Sequence, residues 1–325
     1  MSALLLNTQA RGVYPIAVTP FLDDGAIDWS SLDRLTDFFV MCGVPGITFL
    51  GVLGEASKLS SQESLQLLER VLKRVSGRVR IIVGVSHIGF DNFRRFTAEA
   101  LDAGAAGIMV APATGLKTEE QVLNYFGGLT RTIGNDVPIA LQDYPQNTGV
   151  FLSAQTICQL LINHPSIKVV KHEEGSALHK ISALRAQEAA GKRKRVSILV
   201  GNSAIHLPQE LHRGVDGANT GVAFPEMLVQ VCRRFFAGDA ESAEDLYDIF
   251  LPLIRHEQQP GIGLAIRKEI FRRRGLISSA RLRAPGPALD ANDHAELGRM
   301  LTRLQRMLHD RGEQQLISTY SLTAQ

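Results

Sequence analysis

Cysteine is scarce in this sequence of 325 residues. The three cysteines, Cys42, Cys158 and Cys232, lie far apart in the chain, and none belongs to a Cys-x-x-Cys pair. A sparse and odd set of this kind is typical of proteins from a reducing compartment. It provides neither a disulfide framework nor a cysteine-based zinc site.

The sequence also lacks a long apolar run and a large excess of one charge. No apolar stretch approaches the roughly 20 residues that a membrane-spanning helix needs, and the run Ala3–Leu6 is too short for the core of a signal peptide. Lys and Arg total 35 against 33 Asp and Glu, a net charge of +2 that does not indicate nucleic acid or an anionic membrane as the main partner. We therefore expect a cytoplasmic protein that binds neither nucleic acid nor membrane.

Short β-branched apolar runs alternate in the sequence with longer amphipathic segments. The spacing of most runs is roughly thirty residues, the length of a strand–helix–strand unit. Eight alternations predict a closed (β/α)8 TIM barrel. An open doubly wound sheet is the alternative, but the number of units is too high and no Gly-x-Gly-x-x-Gly follows the first run. The predicted strands are Val13–Thr19, Gly46–Leu50, Arg80–Val85, Gly107–Val110, Pro138–Gln142, Lys168–Lys171, Ser197–Val200 and Gly217–Thr220.

The strand signal ends at Pro225, and only helical spacing follows. Helices are predicted at Glu226–Phe236, Ala240–Ile254, Gly263–Arg274 and Asp293–Leu308. The first of them would complete the barrel. We therefore divide the chain into a barrel over residues 1–225 and, over residues 226–325, a barrel-completing helix with a C-terminal helical extension.

Reactive groups of such barrels lie at the C-terminal ends of the strands, and the sixth predicted strand ends in Lys171. Loss of hydration lowers the pKa of a lysine, and only the neutral amine attacks a ketone to form a Schiff base. Lys171 is therefore a candidate nucleophile. The alternative is that it points outward or pairs with Glu173, which lies two residues further along on the same strand face.

Two other strand ends carry candidate binding groups. After the second strand, the turn Gly51-Val52-Leu53-Gly54-Glu55 can expose backbone N–H groups that bind a carboxylate, although flanking glycines also mark ordinary turns. After the fifth strand, the amide of Gln142 and the phenol of Tyr144 can hold a polar substrate or relay a proton. Tyr144 is equally well explained as a packed, hydrogen-bonded aromatic residue.

Together and in this order, these segments resemble the dihydrodipicolinate synthase / N-acetylneuraminate lyase family of Schiff-base barrel enzymes. The resemblance covers almost the whole chain and implies a (β/α)8 barrel with a helical C-terminal extension, assembled as a homotetramer of paired dimers or as a homodimer. It also implies that Lys171 forms an imine with pyruvate or a larger 2-oxo acid, whose carboxylate lies on the backbone of Val52 and Leu53. The matching segments are Pro15–Phe21, Gly51–Glu55, Ala103–Gly107, Pro145–Gly149 and Val169–Lys171.

The sequence departs from dihydrodipicolinate synthase where that enzyme relays protons. Two threonines of its turn are replaced by Val52 and Leu53, and its two relay tyrosines fall on Gln142 and Thr114. Tyr144 lies on the same strand face as Gln142 and can replace a missing phenol, unless Pro145 redirects it. These losses argue against authentic dihydrodipicolinate synthase activity.

Other residues look more similar to the branch of the family that dehydrates 2-keto-3-deoxy sugar acids. They are the segment Gln142-Asp143-x-Pro145 and the run Gly217–Gly221, in which Asn219 and Thr220 can bind substrate hydroxyls or form a polar turn. The leading hypothesis is therefore a metal-independent Schiff-base lyase, an aldolase or a dehydratase, acting on pyruvate or a 2-keto-3-deoxy sugar acid.

Three alternatives stay open. They are 4-hydroxy-tetrahydrodipicolinate synthase activity with Tyr144 as the relay, a catalytically silent barrel that binds sugar acids, and a metal-dependent aldolase. The histidines form no obvious set of metal ligands, since His172 should face away from Lys171 and His206 and His212 read as helix-surface residues. No nicotinamide, flavin or pyridoxal motif is recognisable, so we expect no cofactor and a small 2-oxo acid as the partner.

Overall fold

The computed structural model describes residues 4–85, 89–175 and 178–320. Eight parallel strands form one sheet in the order β1-β8-β7-β6-β5-β4-β3-β2, and backbone hydrogen bonds join its two edges. The N–H of Thr48 in β2 donates to the carbonyl of Pro15 at 2.8 Å, and the N–H of Ala17 donates to the carbonyl of Thr48 at 2.9 Å. The predicted TIM barrel is therefore confirmed. The strands are β1 Gly12–Val13, β2 Gly46–Phe49, β3 Arg80–Gly84, β4 Gly107–Val110, β5 Ile139–Asp143, β6 Ile167–His172, β7 Ser197–Val200 and β8 Gly217–Ala218.

The first strand is shorter than the prediction over Val13–Thr19. Regular pairing with β8 is confined to Gly12 and Val13, and beyond them Ile16 forms an isolated bridge to Thr48. Pro15 has no N–H to donate, so it interrupts the ladder. The last strand is likewise shorter, because regular pairing ends at Ala218.

Helices connect successive strands and begin at the residues that cap them. Ser60 and Glu63 form a capping box before α2, which buries Leu67, Leu68 and Val71 against the barrel. The helix α9 follows β8, and α10 to α12 form the extension. The helices are α1 Trp29–Met41, α2 Ser61–Val75, α3 Phe90–Asp102, α4 Glu119–Ile133, α5 Pro145–Thr148, α6 Ala154–Asn163, α7 Leu178–Ala189, α8 Leu207–His212, α9 Pro225–Phe236, α10 Ala240–Glu257, α11 Gly263–Arg273 and α12 Ala291–Asp310.

Side chains fill the interior of the barrel in layers, and these layers set the depth at which Lys171 lies. An inward cluster that includes Tyr14, Met109 and Val169 is separate from the larger apolar layer between strands and helices. Because side chains alternate along a strand, Lys171 on β6 points inward like Val169, one layer nearer the C-terminal mouth. In the described ranges, no helix has the length and apolarity needed to cross a membrane.

Candidate active site

Lys171 stands inside the barrel mouth with little contact to solvent. The residue is 3% exposed, and its Nζ lies 2.6 Å from Oε1 of Glu173. The intervening His172 points to the opposite face of the sheet, where its Nδ1 lies 3.0 Å from Oδ2 of Asp143. Lys171 therefore points into the barrel, as the hypothesis of a nucleophile requires, and it is also paired with Glu173, as the alternative predicts.

The carboxylate of Glu173 is fixed from three sides. Oε1 also accepts a hydrogen bond from Nε2 of Gln142 at 2.6 Å, and Oε2 accepts one from the backbone N–H of Asn202 at 3.2 Å. Glu173 packs so closely on Gly201 that a Cβ at that position would lie 2.2 Å from the glutamate side chain. The sequence indicates Glu173 only as an ion-pair partner of Lys171, although the two-residue spacing already places both side chains on the same strand face.

Lys171 opens into a small cavity of about 60 Å³. Most of the side chains that the sequence singles out meet here, joined by residues from the C-terminal extension. Thr114, in contrast, is exposed and does not line the cavity. The lining residues are Ile16, Val52, Leu53, Met109, Gln142, Tyr144, Lys171, Glu173, Asn202, Ser203, Thr220, Gly221, Gln258 and Arg267.

Tyr144 lines the cavity together with Gln142, so Pro145 does not redirect it. Pro145 begins the short helix α5, and Tyr144 is the residue that precedes it. Burial and the negative charge of Glu173 raise the pKa of Tyr144, while Arg267 opposes them. The phenol is therefore protonated at neutral pH and can donate to a group in the cavity.

The turn after β2 offers two free backbone donors. The N–H groups of Gly54 and Glu55 donate to the carbonyls of Gly51 and Val52. Those of Val52 and Leu53 have no acceptor among the described residues. Adjacent N–H groups in a tight turn form a site that suits a carboxylate.

Glu55 anchors this turn to the C-terminal extension. It has a left-handed backbone, with φ of 53°, and it accepts hydrogen bonds from Lys268 Nζ at 2.6 Å, Lys58 Nζ at 2.8 Å and the backbone N–H of Arg283 at 3.0 Å. Lys268 is fully buried, and burial lowers its pKa to about 8 although Glu55 opposes the shift. The glycines Gly51 and Gly54 shape the turn and are themselves buried.

Asn219 and Thr220, which follow β8, occupy different places. Thr220 lines the cavity, whereas the side chain of Asn219 lies within the barrel, fully buried. Oδ1 of Asn219 accepts a hydrogen bond from Thr48 Oγ1 at 3.2 Å, and its Nδ2 has no partner within the described ranges. Asn219 therefore does not line the cavity that Lys171 opens into.

A second wall of the cavity comes from the loop after β7 and from the extension. Asn202 and Ser203 have left-handed backbones, with φ of 52° and 55°, and Ala204 follows at 56°. Nη2 of Arg267 donates to Oγ of Ser203, which donates to Oε1 of Gln258. The chain of hydrogen bonds ends where Nε2 of Gln258 donates to Oδ1 of Asn202. Three consecutive non-glycine residues in this conformation store strain, which is typical of functional sites.

The sequence alone does not predict this second wall of the cavity. Gln258 and Arg267 are 55 and 64 residues from Ser203 in the chain, and no local pattern connects them. The described ranges contain no group of three or more His, Cys, Asp or Glu residues that could hold a metal ion.

The chain is similar to proteins of known name over nearly its full length. A sequence model of the dihydrodipicolinate synthetase family matches residues 9–304. L-2-keto-3-deoxyarabonate dehydratase of Azospirillum brasilense is 30% identical over 302 residues, which is 92% of this chain and 96% of that protein. The crystal structure of dihydrodipicolinate synthase from Rhodopseudomonas palustris superposes with a TM-score of 0.90 and 44% identity, covering 93% of this chain and 100% of that one.

A second similar structure contains a bound 2-oxo acid. It is YagE, a prophage protein of the dihydrodipicolinic acid synthase family from E. coli K12, in complex with pyruvate, with a TM-score of 0.83 and 25% identity over 91% of this chain and 98% of that one. Members of the matching family are Schiff-base lyases that act on small 2-oxo acids. The match to residues 9–304 shows that this chain belongs to the dihydrodipicolinate synthetase family.

Proposed function

We propose that this protein is a dehydratase of 2-keto-3-deoxy sugar acids that works through an imine on Lys171. The observation that carries the proposal is the enclosed amine of Lys171 with the carboxylate of Glu173 2.6 Å from it. A carboxylate at hydrogen-bonding distance accepts the proton that an ammonium must lose before it attacks a ketone. The 30% identity to L-2-keto-3-deoxyarabonate dehydratase supports this branch of the family.

The substrate is held at its first carboxylate and its ketone. The carboxylate binds the free N–H groups of Val52 and Leu53, which places C2 beside Lys171. Attack of the amine gives a carbinolamine, and Glu173 returns its proton to the departing hydroxyl, so that one water leaves and the protonated imine forms. The protonated imine withdraws electrons from C3 and makes its proton acidic.

Glu173 takes the C3 proton in this mechanism, and Tyr144 donates a proton to the C4 hydroxyl as it leaves. The electron pair of the resulting enamine expels that hydroxyl as water. Hydrolysis of the imine then consumes one water, releases the unsaturated 2-oxo acid and restores the amine of Lys171, while transfer of the C3 proton from Glu173 to the phenolate of Tyr144 restores both of those groups. Glu173 suits its role because its carboxylate lies beside the amine of Lys171. Tyr144 suits its role because the raised pKa of its phenol keeps it protonated and able to donate.

Reductive trapping tests the imine. Borohydride added in the presence of pyruvate should attach a reduced pyruvyl group to the peptide that contains Lys171, detected as a mass increase. Lys171→Met should abolish the label, and Lys168→Met, on the same strand, should keep it. An unlabelled wild-type protein, or a label on another lysine, contradicts the proposal.

Synthesis of 4-hydroxy-tetrahydrodipicolinate is the second candidate function. The 44% identity to the structure from R. palustris favours it, and it uses the same imine with pyruvate. A coupled assay with pyruvate and aspartate semialdehyde, run beside a dehydration assay on 2-keto-3-deoxy sugar acids, separates the two. Trapping of pyruvate without turnover in either assay would instead support a catalytically silent binding barrel.

A further inference from the structure

The second wall of the cavity carries a charge that the reaction at Lys171 does not use. Arg267 on α11 lines the cavity, and its side chain is 7% exposed. Nη2 donates to Ser203, whereas Nε has no hydrogen-bond partner in the described part of the chain. A guanidinium is always charged and has five N–H donors in a planar fork. Arg267 therefore has more donors than the surrounding residues occupy.

The carboxylate nearest to Arg267 compensates this charge incompletely. Oε2 of Glu257 lies 3.7 Å from Nε of Arg267, beyond hydrogen-bonding distance. Oε2 accepts its hydrogen bond from the backbone N–H of Ala223 instead. Burial raises the pKa of Glu257 to about 7, so a large fraction of this group is neutral at neutral pH. A buried guanidinium in this state gains from an anion that can accept its free N–H groups.

The first carboxylate of the substrate does not need Arg267. In the proposed binding mode it lies on Val52 and Leu53, and the ketone is at Lys171. The same cavity is also lined by Asn202, Ser203, Gln258 and Arg267, which the first carboxylate and the ketone leave unused. The lining therefore offers one cation and three neutral hydrogen-bonding side chains to a substrate that continues beyond C3.

We propose that Arg267, Ser203 and Gln258 form a subsite for a second carboxylate at the far end of the substrate, so that the preferred substrate is a 2-oxo dicarboxylic acid. This inference rests on the proposed function, because it assumes an imine at Lys171. Arg267 donates to the distal carboxylate, while the hydrogen bonds from Arg267 through Ser203 to Gln258 hold the guanidinium in place.

Matched 2-oxo acids of equal length test the subsite. The probes are 2-oxopentanedioate, which ends in a carboxylate, and 5-hydroxy-2-oxopentanoate, which ends in a hydroxyl. Each is titrated against the borohydride label on Lys171 in the wild-type protein, in Arg267→Gln and in Arg267→Lys. Arg272→Gln is the matched control, since Arg272 lies on the same helix, pairs with Glu269 and is partly exposed.

The wild type should be half-labelled at about a tenfold lower concentration of 2-oxopentanedioate than of the hydroxyl compound, the effect of one charged hydrogen bond. Arg267→Gln should remove this preference, Arg267→Lys should keep part of it, and Arg272→Gln should keep all of it.

A wild-type protein that binds both probes equally overturns the subsite, even if Arg267→Gln fails to fold. Equal weakening of both probes in Arg267→Gln also overturns it, because that result means Arg267 only fastens α11 to the loop after β7. If pyruvate labels Lys171 but the wild type shows no preference for 2-oxopentanedioate, the subsite is wrong and the proposed function still stands. If no 2-oxo acid labels Lys171, both proposals are wrong.

Discussion

At the scale of single residues, proton transfer depends on which side chains surround Lys171. Of the positions that match the relay of dihydrodipicolinate synthase, Val52, Leu53 and Gln142 line the cavity without a hydroxyl and Thr114 does not line it, whereas Glu173 and Tyr144 do. Glu173 is held in place by Gln142 and by the backbone of Asn202. A carboxylate fixed in this way is oriented before the substrate binds, as a general base must be.

Replacing this carboxylate should separate imine formation from turnover. Glu173→Gln keeps the shape of the side chain but removes the base, so kcat for dehydration should fall about a hundredfold to ten-thousandfold. Borohydride trapping of pyruvate, followed over hours, should still label Lys171. Glu174→Gln is the control, because Glu174 pairs with Lys180 instead. Wild-type kcat in Glu173→Gln would show that another group moves the proton.

The sequence predicts some of these residues and not others, for physical reasons. Lys171, Gln142 and Tyr144 are found from strand ends, since parallel strands bring their C-terminal ends to one face. Arg267 is not found, because its position in the cavity depends on how α11 packs on the barrel. Asn219 follows β8 at a strand end as well, yet its side chain lies one layer deeper, in contact with Thr48.

At the scale of elements, the turn Gly51–Glu55 and α11 form one unit. Helical periodicity predicts α11 over Gly263–Arg274, and the helix is observed over Gly263–Arg273. Periodicity gives no sign that Lys268 on this helix reaches Glu55, which is 213 residues away. The ring of Phe21 lies 4.5 Å from Nζ of Lys268 and covers this contact. The turn therefore keeps its conformation through a buried ion pair that the sequence does not reveal.

Breaking that ion pair should loosen substrate binding more than it slows chemistry. Lys268→Met removes the fully buried cation from Glu55 and leaves Lys58 as its ionic partner, so the loss of stability should stay below the roughly 3–5 kcal/mol that a wholly unpaired buried charge costs. The half-saturating concentration of pyruvate in the trapping assay should rise, and the melting temperature should fall. Lys73→Met, at an exposed position on α2, should change neither. If Lys268→Met is destabilised but binds pyruvate as tightly as the wild type, the ion pair supports the fold without positioning the turn.

At the scale of the whole molecule, buried acids make stability depend on pH. Glu257, at the end of α10, is 2% exposed, and burial raises its pKa to about 7 while Arg267 opposes the shift. Its ordinary pKa is 4.5, so the folded protein binds the proton more tightly than the unfolded chain does. The stabilisation from this group is complete below pH 4.5 and is lost as the pH rises through 7.

A glutamine at this position should remove that dependence. In the wild type, the free energy of unfolding should decline between about pH 5 and pH 7, by at most about 1.4 kcal/mol per pH unit from one proton. Glu257→Gln should make this decline less steep, and the slope that remains belongs to groups such as Glu210, whose pKa burial raises to about 8. Glu241→Gln, at an exposed position on the same helix, should retain it. Chemical denaturation at several pH values measures the slope, and an unchanged slope in Glu257→Gln would assign the decline to another group.

The extension completes the wall of the cavity into which Lys171 opens. Lys268 and Arg283 hold the turn Gly51–Glu55 through Glu55, and Gln258 and Arg267 line the cavity. All four follow the last strand, so every strand of the sheet precedes them in the chain. A chain cut before Gln258 would therefore keep all eight strands and lose both the lining that the extension supplies and the anchors of the turn, which makes the shape of the cavity dependent on the last quarter of the sequence.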